Sequence, residues 1–142
     1  MITRTVSELT PVIQATHRDV ENWVGRLDLA TGFDRPGPGR ARMFSKENAF
    51  ELGMLAALVR GGAAPSTATL VAAKFAQDAK RNWRGTAFKN WLVFPAGDCS
   101  AGVHTDKIDV ESKLIRDLGA ITFSAINVRK LIDDIEALYR DP

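Results

Sequence analysis

Apolar positions three and four residues apart predict two short helices at the start of the chain. In SELTPVIQ, Leu9, Val12 and Ile13 repeat at helical spacing, and we expect Ser7 to cap the helix. In THRDVENWVGRLDL, Thr16 is the expected cap. The buried stripe of this second helix is predicted to be Val20, Trp23, Val24 and Leu27. The segment QAT separates the two patterns, so the chain is predicted to begin with a helix, a tight turn and a second helix.

Two longer apolar segments predict two more helices. In SKENAFELGMLAALVRGG, Ser45 is the expected cap, and Gly61 and Gly62 end the helix. In PSTATLVAAKFAQDAKRNW, Pro65 and Ser66 begin the helix, because proline is tolerated in a first turn. Two core faces stay open on this last helix: Leu70, Ala73 and Ala76, or Val71 and Phe75.

Beyond Arg84 the apolar runs become shorter and turn residues separate them, which predicts strands. NWLVFP and AGVHT are expected to form a hairpin around AGDCSAG, and AITFSAI a third strand. A helix is predicted in DVESKLIRDLG from the spacing of Val110, Leu114, Ile115 and Leu118. NVRKLIDDIEALYR is predicted to be a final amphipathic helix capped by Asn127. The chain is therefore predicted to be α+β, with a helical domain over residues 1–84 and a small β-β-α-β-α domain over residues 85–142.

The segment GFDRPGPGRARMF connects the second and third predicted helices. Its glycines and prolines exclude a helix or a central strand. Its three arginines are Arg35, Arg40 and Arg42, and it contains no lysine. We expect residues 37–39 to tighten a two-stranded loop, a wing, that brings these arginines beside DNA phosphates. The alternative is a plain surface connection, because proline and glycine are common in any loop.

The order helix, turn, helix, loop and helix is that of a winged helix-turn-helix domain, whose second helix lies in the major groove. On a helix that begins at Thr16, the face opposite the buried stripe carries His17, Arg18, Glu21 and Asn22. Arginine pairs with guanine and asparagine with adenine, so Arg18 and Asn22 are the expected base-reading residues. The predicted DNA-binding residues are therefore Thr16, the four residues of this face and the three loop arginines.

Two segments carry a family resemblance: TVSELTPVIQATHRDVENWVGRLDL, and GRARMFSKENAFELGMLAALVRGGAAPSTATLVA. They resemble the N-terminal DNA-binding domain of MerR-type regulators and the related excisionase-like winged helices, over roughly residues 5–75. In the family pattern the recognition helix ends in an aromatic residue, matched by Trp23. The wing ends in an arginine, one residue and an aromatic, matched by Arg42 and Phe44, and the next helix ends in glycine. The resemblance implies a winged helix-turn-helix that binds double-stranded DNA.

The chain departs from the family pattern at two places. Glu21 stands where the family usually has an arginine. The family continues into a long dimerising helix, whereas this chain continues into the mixed α/β tail. We expect that tail to pack on the N-terminal helices or on a second copy, through exposed strand edges. A homodimer would then read an inverted or direct repeat.

Composition is that of a folded protein, with 142 residues, 45% of them hydrophobic and 25% charged. No apolar run approaches the roughly 18 residues of a membrane span, and MITRTVSELTPV lacks the apolar core of a signal peptide. The single cysteine, Cys99, cannot form an internal disulfide, which agrees with a reducing compartment. We therefore predict a cytoplasmic protein without a membrane partner.

The net charge of +2 is divided unevenly along the chain. Residues 1–90 hold 13 lysines and arginines against 8 acidic residues, whereas residues 91–142 hold 6 against 9. A basic N-terminal part beside an acidic C-terminal part indicates two roles, one of them facing a polyanion.

No residue pattern predicts catalysis or a metal site. Cys99, Ser100 and His104 lie in or beside a predicted turn and lack a third, orienting residue. The two histidines and the cysteine do not have the spacing of zinc ligands. We expect no enzymatic activity, no cofactor and no metal.

The sequence favours a sequence-specific DNA-binding regulator of transcription. Two alternatives stay open: an excisionase or architectural DNA-binding protein of a mobile element, and a protein-interaction or small-ligand module whose acidic tail binds the partner. Whether a small molecule or a protein acts as an effector is also left open.

Overall fold

The structure is a computed structural model that describes residues 2–81, 83, 88–109 and 111–140. Over these residues the fold is α+β. The helices are α1 (Val6–Ile13), α2 (His17–Arg26), α3 (Lys46–Arg60), α4 (Pro65–Arg81), α5 (Lys113–Arg116) and α6 (Val128–Leu138). The strands are β1 (Trp91–Pro95), β2 (Val103–Thr105) and β3 (Phe123–Asn127), and a 3-10 turn, Cys99–Ala101, connects β1 to β2.

Side-chain caps begin most of the helices. Thr16, Ser45 and Asn127 cap α2, α3 and α6 as predicted, each accepting a hydrogen bond from a backbone N–H of the first turn. The prediction for α1 is wrong by two residues, because Thr5 is the cap in place of Ser7. Thr5 has a glutamate three residues later, and the two side chains close a reciprocal capping box that also lowers the pKa of that carboxyl.

The three strands form one antiparallel sheet in the order β2-β1-β3. The segment between β2 and β3 was predicted to be a longer helix, but only the single turn α5 forms. Among the described apolar residues of this segment, Ile115 alone is buried, whereas Leu114 is 64% exposed. One buried side chain does not supply the packing that a longer amphipathic helix needs. Val110, the first residue of the predicted stripe, lies outside the described residues.

The core face of α4 combines parts of the two predicted alternatives. Phe75 and Ala76 are buried, and Val71 packs against the core from a half-buried position. Leu70 is 71% exposed, so its prediction as a core residue is wrong. The buried alanines of α4, Ala68, Ala72, Ala76 and Ala79, let the helix lie close to α3.

One hydrophobic core runs through both predicted parts of the chain, from Leu9 of α1 to Tyr139 at the end of α6. Helix α6 packs on α1 and α3, as expected for a tail that packs on the N-terminal helices. The predicted domain boundary falls among residues 84–87, outside the described residues, and the division into two domains stays a prediction.

None of the helices in the described part of the chain is long and apolar enough to cross a membrane.

Candidate nucleic-acid interface

Helix α2 presents one polar face to solvent. His17, Arg18, Glu21 and Asn22 are all exposed, as the helical spacing predicted, while Val20 on the opposite side is fully buried. The predicted stripe is completed by half-buried residues that pack against the core: Trp23, Val24 and Leu27. The exposed face is therefore free to meet a ligand, while the helix is fixed to the core along its other side.

Thr16 has a defined structural role at the start of this helix. Its hydroxyl oxygen accepts the backbone N–H of Asp19 at 3.0 Å, and Asp19 in return accepts the backbone N–H of Thr16 at 3.3 Å. One turn further on, His17 Nε2 and Glu21 Oε1 lie 3.8 Å apart. Glu21 thus faces the same solvent region as His17.

The turn between α1 and α2 is held by the third helix. Gln14 ends α1 in the left-handed conformation with a φ of 57°. Arg60, at the end of α3, donates to the carbonyl oxygens of Ile13 at 3.3 Å and Gln14 at 2.9 Å. The guanidinium satisfies carbonyls that the end of a helix leaves without partners, and it fixes where α2 begins.

A buried carboxylate anchors the segment that leads from α2 into the arginine loop. Glu51 of α3 is fully buried and accepts the backbone N–H of Ala30 at 2.6 Å and of Thr31 at 2.9 Å. The Thr31 hydroxyl donates to the same carboxylate at 2.6 Å. Asn48, one turn earlier, donates to the Thr31 hydroxyl oxygen and to the carbonyl oxygen of Gly32. These bonds tie the first residues of the loop to the core.

Asp34 organises the rest of the loop. One of its carboxylate oxygens accepts from Arg40 at 2.9 Å, and the other accepts the backbone N–H of Met43 at 3.0 Å. The Arg42 guanidinium donates to the backbone carbonyl of Asp34. The Met43 N–H, followed by the Arg40 charge and hydrogen bond, holds the pKa of Asp34 below its ordinary value. Asp34, in the first half of the loop, is therefore hydrogen-bonded to Arg40 and Met43 in the second half.

The predicted two-stranded wing does not form within the described loop. Pro36 and Pro38 have no N–H for a strand ladder, and Asp34 takes the N–H of Met43 that a facing strand would need. The chain still reverses direction, through a bond from the Arg40 N–H to the carbonyl of Gly37 at 3.2 Å. The one strand-like backbone contact of this region is made by the next residue, Phe44.

Phe44 makes that contact with Arg4, which precedes α1. The two residues exchange both backbone hydrogen bonds, at 2.9 and 2.8 Å. The Tyr139 hydroxyl at the end of α6 donates to the carbonyl oxygen of Phe44 at 2.9 Å. Burial raises the pKa of Tyr139, so its hydroxyl keeps the proton that it donates. The end of the loop is thus fixed to both termini of the described chain.

The three predicted arginines differ in their exposure. Arg35 is exposed and makes no hydrogen bond or ion pair with any described residue. Arg40 is paired with Asp34, although its side chain is 59% exposed. Arg42 is half-buried, and its Nε is buried without a partner among the described residues. A cleft of about 500 Å³ brings Arg35 and Arg42 next to Val24 and Leu27 at the end of α2.

Sequence reasoning missed the residues that build this surface. Arg26 is exposed four residues after Asn22, so its helical spacing places it on the same side of α2. The signal for Glu51 was present too, because a lone carboxylate inside the apolar run AFELGML needs buried donors. Asp34 gave no comparable signal, since an acidic residue beside arginines is ordinary in an exposed loop.

Cys99, Ser100 and His104, near the connection between β1 and β2, are buried or hydrogen-bonded to neighbouring residues. Burial raises the pKa of the Cys99 thiol, and the Ser100 hydroxyl donates to Asp98 at 2.6 Å. His104 Nε2 lies 3.0 Å from the carbonyl oxygen of Lys89, and its ring packs edge-on against Phe75. Within the described ranges no three histidine, cysteine or acidic side chains come together as a metal site.

Comparison with protein-family models, curated proteins and solved structures gives no match for this chain. The assignment of a function therefore rests on the residues and contacts described above.

Proposed function

We propose that this protein binds double-stranded DNA in a sequence-specific way and regulates transcription. Helix α2 is the recognition helix in the major groove, and the arginine loop lies on the phosphates. The observation that carries the proposal is the placement of two loop arginines beside the end of a helix whose polar face is exposed. We also propose, as the sequence predicts, that the protein is cytoplasmic.

The chemistry of the exposed face fits base recognition. Arg18 has a guanidinium that pairs with the two acceptors of guanine, and Asn22 has an amide that pairs with adenine. Glu21 between them accepts from the amino group of cytosine, and it repels a phosphate that approaches from the same side. Specificity is thus assigned to α2.

The loop supplies the sequence-independent part of the binding energy. Arg35 is the most available phosphate ligand of the loop, because it has no partner among the described residues. Arg40 is held by Asp34, so it meets a phosphate from a fixed position with part of its charge already compensated. Arg42 supports the loop from a half-buried position and contributes mainly to its shape.

The proposal is tested by salt-dependent binding to duplex DNA. We expect Arg35→Ala to weaken binding nearly uniformly across sequences and to reduce the slope of log affinity against log salt by about one. Arg18→Ala is expected to change which sequences are preferred, at a cost of about 1–3 kcal/mol on the preferred site.

Arg116→Ala is the matched control, because it removes one exposed arginine from α5, outside the interface. Equal effects of Arg35→Ala and Arg116→Ala would contradict the assignment of the loop to phosphates. The architectural alternative predicts salt-dependent binding without sequence preference, and the protein-interaction alternative predicts no steep salt dependence with DNA at all.

A further inference from the structure

The β3 edge of the sheet has backbone groups that no strand in the described part of the chain pairs. The N–H of Val128 donates to Asn90 and the N–H of Ala96 donates to Thr122, at 2.9 and 3.0 Å. Because bonded pairs alternate along an antiparallel ladder, the even-numbered residues of β3 bond toward β1. The N–H and C=O groups of residues 123 and 125 and the N–H of Asn127 therefore point away from the sheet, whereas the C=O of Asn127, the cap residue, accepts the first hydrogen bond of α6.

The β3 strand itself lacks the charged residues and prolines that keep strand edges apart. From residue 118 to residue 128 the chain has no charged residue and no proline. Ile121 is fully exposed and Phe123 is 36% exposed. A cleft of about 390 Å³ lies beside Ser124 and Asn127, and its other walls are the ends of α1 and α3 and the start of α6, with the polar side chains of Gln14, Arg60 and Lys130. The opposite edge, β2, has only three residues and is followed directly by Asp106 and Lys107.

The edge is complementary to itself. When two β3 strands run antiparallel about a two-fold axis at Ala125, that residue faces the partner's Ala125, and Phe123 faces the partner's Asn127. Two hydrogen bonds then form between the two Ala125 residues, and one forms from each Asn127 N–H to the carbonyl oxygen of the partner's Phe123. The small, uncharged side chain at the axis brings neither a steric clash nor a like-charge pair.

We propose that the protein is a homodimer in which the β3 strands of two copies pair antiparallel and form one six-stranded sheet. The inference does not rest on DNA binding and is tested without DNA. If the proposed function also holds, the same two-fold axis relates the two α2 helices.

The first test is the molar mass in sedimentation equilibrium. The wild-type chain is expected to be a dimer, and Ala125→Pro to weaken the dimer about tenfold or more by removing the two central N–H groups. The fold should survive, because proline is tolerated at an edge position whose N–H faces solvent. Circular dichroism checks that the variant stays folded.

A charge-swap pair provides the second test and does not depend on proline. Ala125 is exposed in the single chain, so Ala125→Lys and Ala125→Glu should fold, and each alone should shift the protein toward monomer. An equimolar mixture should restore the dimer. Leu70→Lys is the control, because it places the same charge on an exposed apolar position of α4.

An isotope-mixed sample provides direct structural proof, since the pairing predicts an interchain NOE between the Hα atoms of Ser124 and the partner's Ile126. A monomeric wild-type chain would overturn the proposal, and it would leave the edge as a site for another protein's strand. A dimer unaffected by all three Ala125 substitutions, or one disrupted equally by Leu70→Lys, would overturn it as well.

Discussion

Replacing Glu51 by glutamine tests whether the buried carboxylate holds the start of the arginine loop. Glutamine has nearly the same shape, so no cavity is created. The carboxylate accepts from two backbone N–H groups and one hydroxyl, at 2.6, 2.9 and 2.6 Å. In Glu51→Gln only one side-chain oxygen remains, and the NH₂ group of the amide lies against an N–H donor.

The expected cost follows from these contacts. A hydrogen bond to a charged group contributes about 1.5–3 kcal/mol, and a buried donor left without a partner costs about 1–3 kcal/mol. One such bond is lost and the others are weakened, so the free energy of unfolding should fall by about 2–4 kcal/mol. The Ala30 and Thr31 amides should also exchange with solvent faster than in the wild type.

Urea unfolding and amide hydrogen exchange measure these two effects. Glu111→Gln is the control, because Glu111 is exposed, and its stability should stay within about 0.5 kcal/mol of the wild type. A loss in Glu51→Gln no larger than in the control would refute the anchoring role. If the protein is destabilised but amide hydrogen exchange at residues 30 and 31 is unchanged, Glu51 stabilises the core without anchoring the loop.

Three further predictions concern the loop and the core. Because the Met43 N–H lowers the pKa of Asp34, the ionised Asp34 carboxylate stabilises the fold above the pKa that it has in the unfolded chain, and this stabilisation is lost as the pH falls through its pKa in the folded protein. A ¹³C titration of the Asp34 carboxyl with a midpoint at or above the ordinary value of 3.8 would contradict this prediction. Tyr139→Phe removes the bond to the carbonyl of Phe44 and should cost about 1 kcal/mol in urea unfolding, and an unchanged stability would exclude that bond. In Gly53→Ala the added Cβ would lie 2.8 Å from the tip of the Leu131 side chain of α6. This overpacking costs about 1–3 kcal/mol and the better helix propensity of alanine offsets about 1 kcal/mol, so calorimetry should show a net loss of up to about 2 kcal/mol. A stability above that of the wild type would show that the Leu131 side chain moves aside at little cost.

Local signals in the sequence predicted much of the fold. Thr16, Ser45 and Asn127 act on N–H groups within their own first turn, so each helix start is visible in a few residues. Thr5 was open to the same reasoning, because only Thr5 and not Ser7 has a glutamate three residues later. The one-turn α5 was not predictable from spacing, since spacing does not tell which apolar side chains find a partner.

The candidate interface was predicted only where it depends on helical periodicity. The exposure of His17, Arg18, Glu21 and Asn22 follows from the period of 3.6 residues. The shape of the loop does not follow from helical periodicity, because it depends on contacts between distant residues, such as Glu51 with Thr31. The prolines and glycines of the loop correctly indicated a turn. They did not indicate that the Asp34 carboxylate takes the backbone N–H that a pairing strand would use.

Selection of the purified protein on random duplex DNA near physiological salt tests the central proposal most directly. The wild type should enrich one motif, and Arg18→Ala and Asn22→Ala should each alter that motif at the positions they read. Arg35→Ala should keep the motif and lower the affinity. Failure of the wild type to enrich any motif, with no salt-dependent binding, would contradict α2 as a recognition helix.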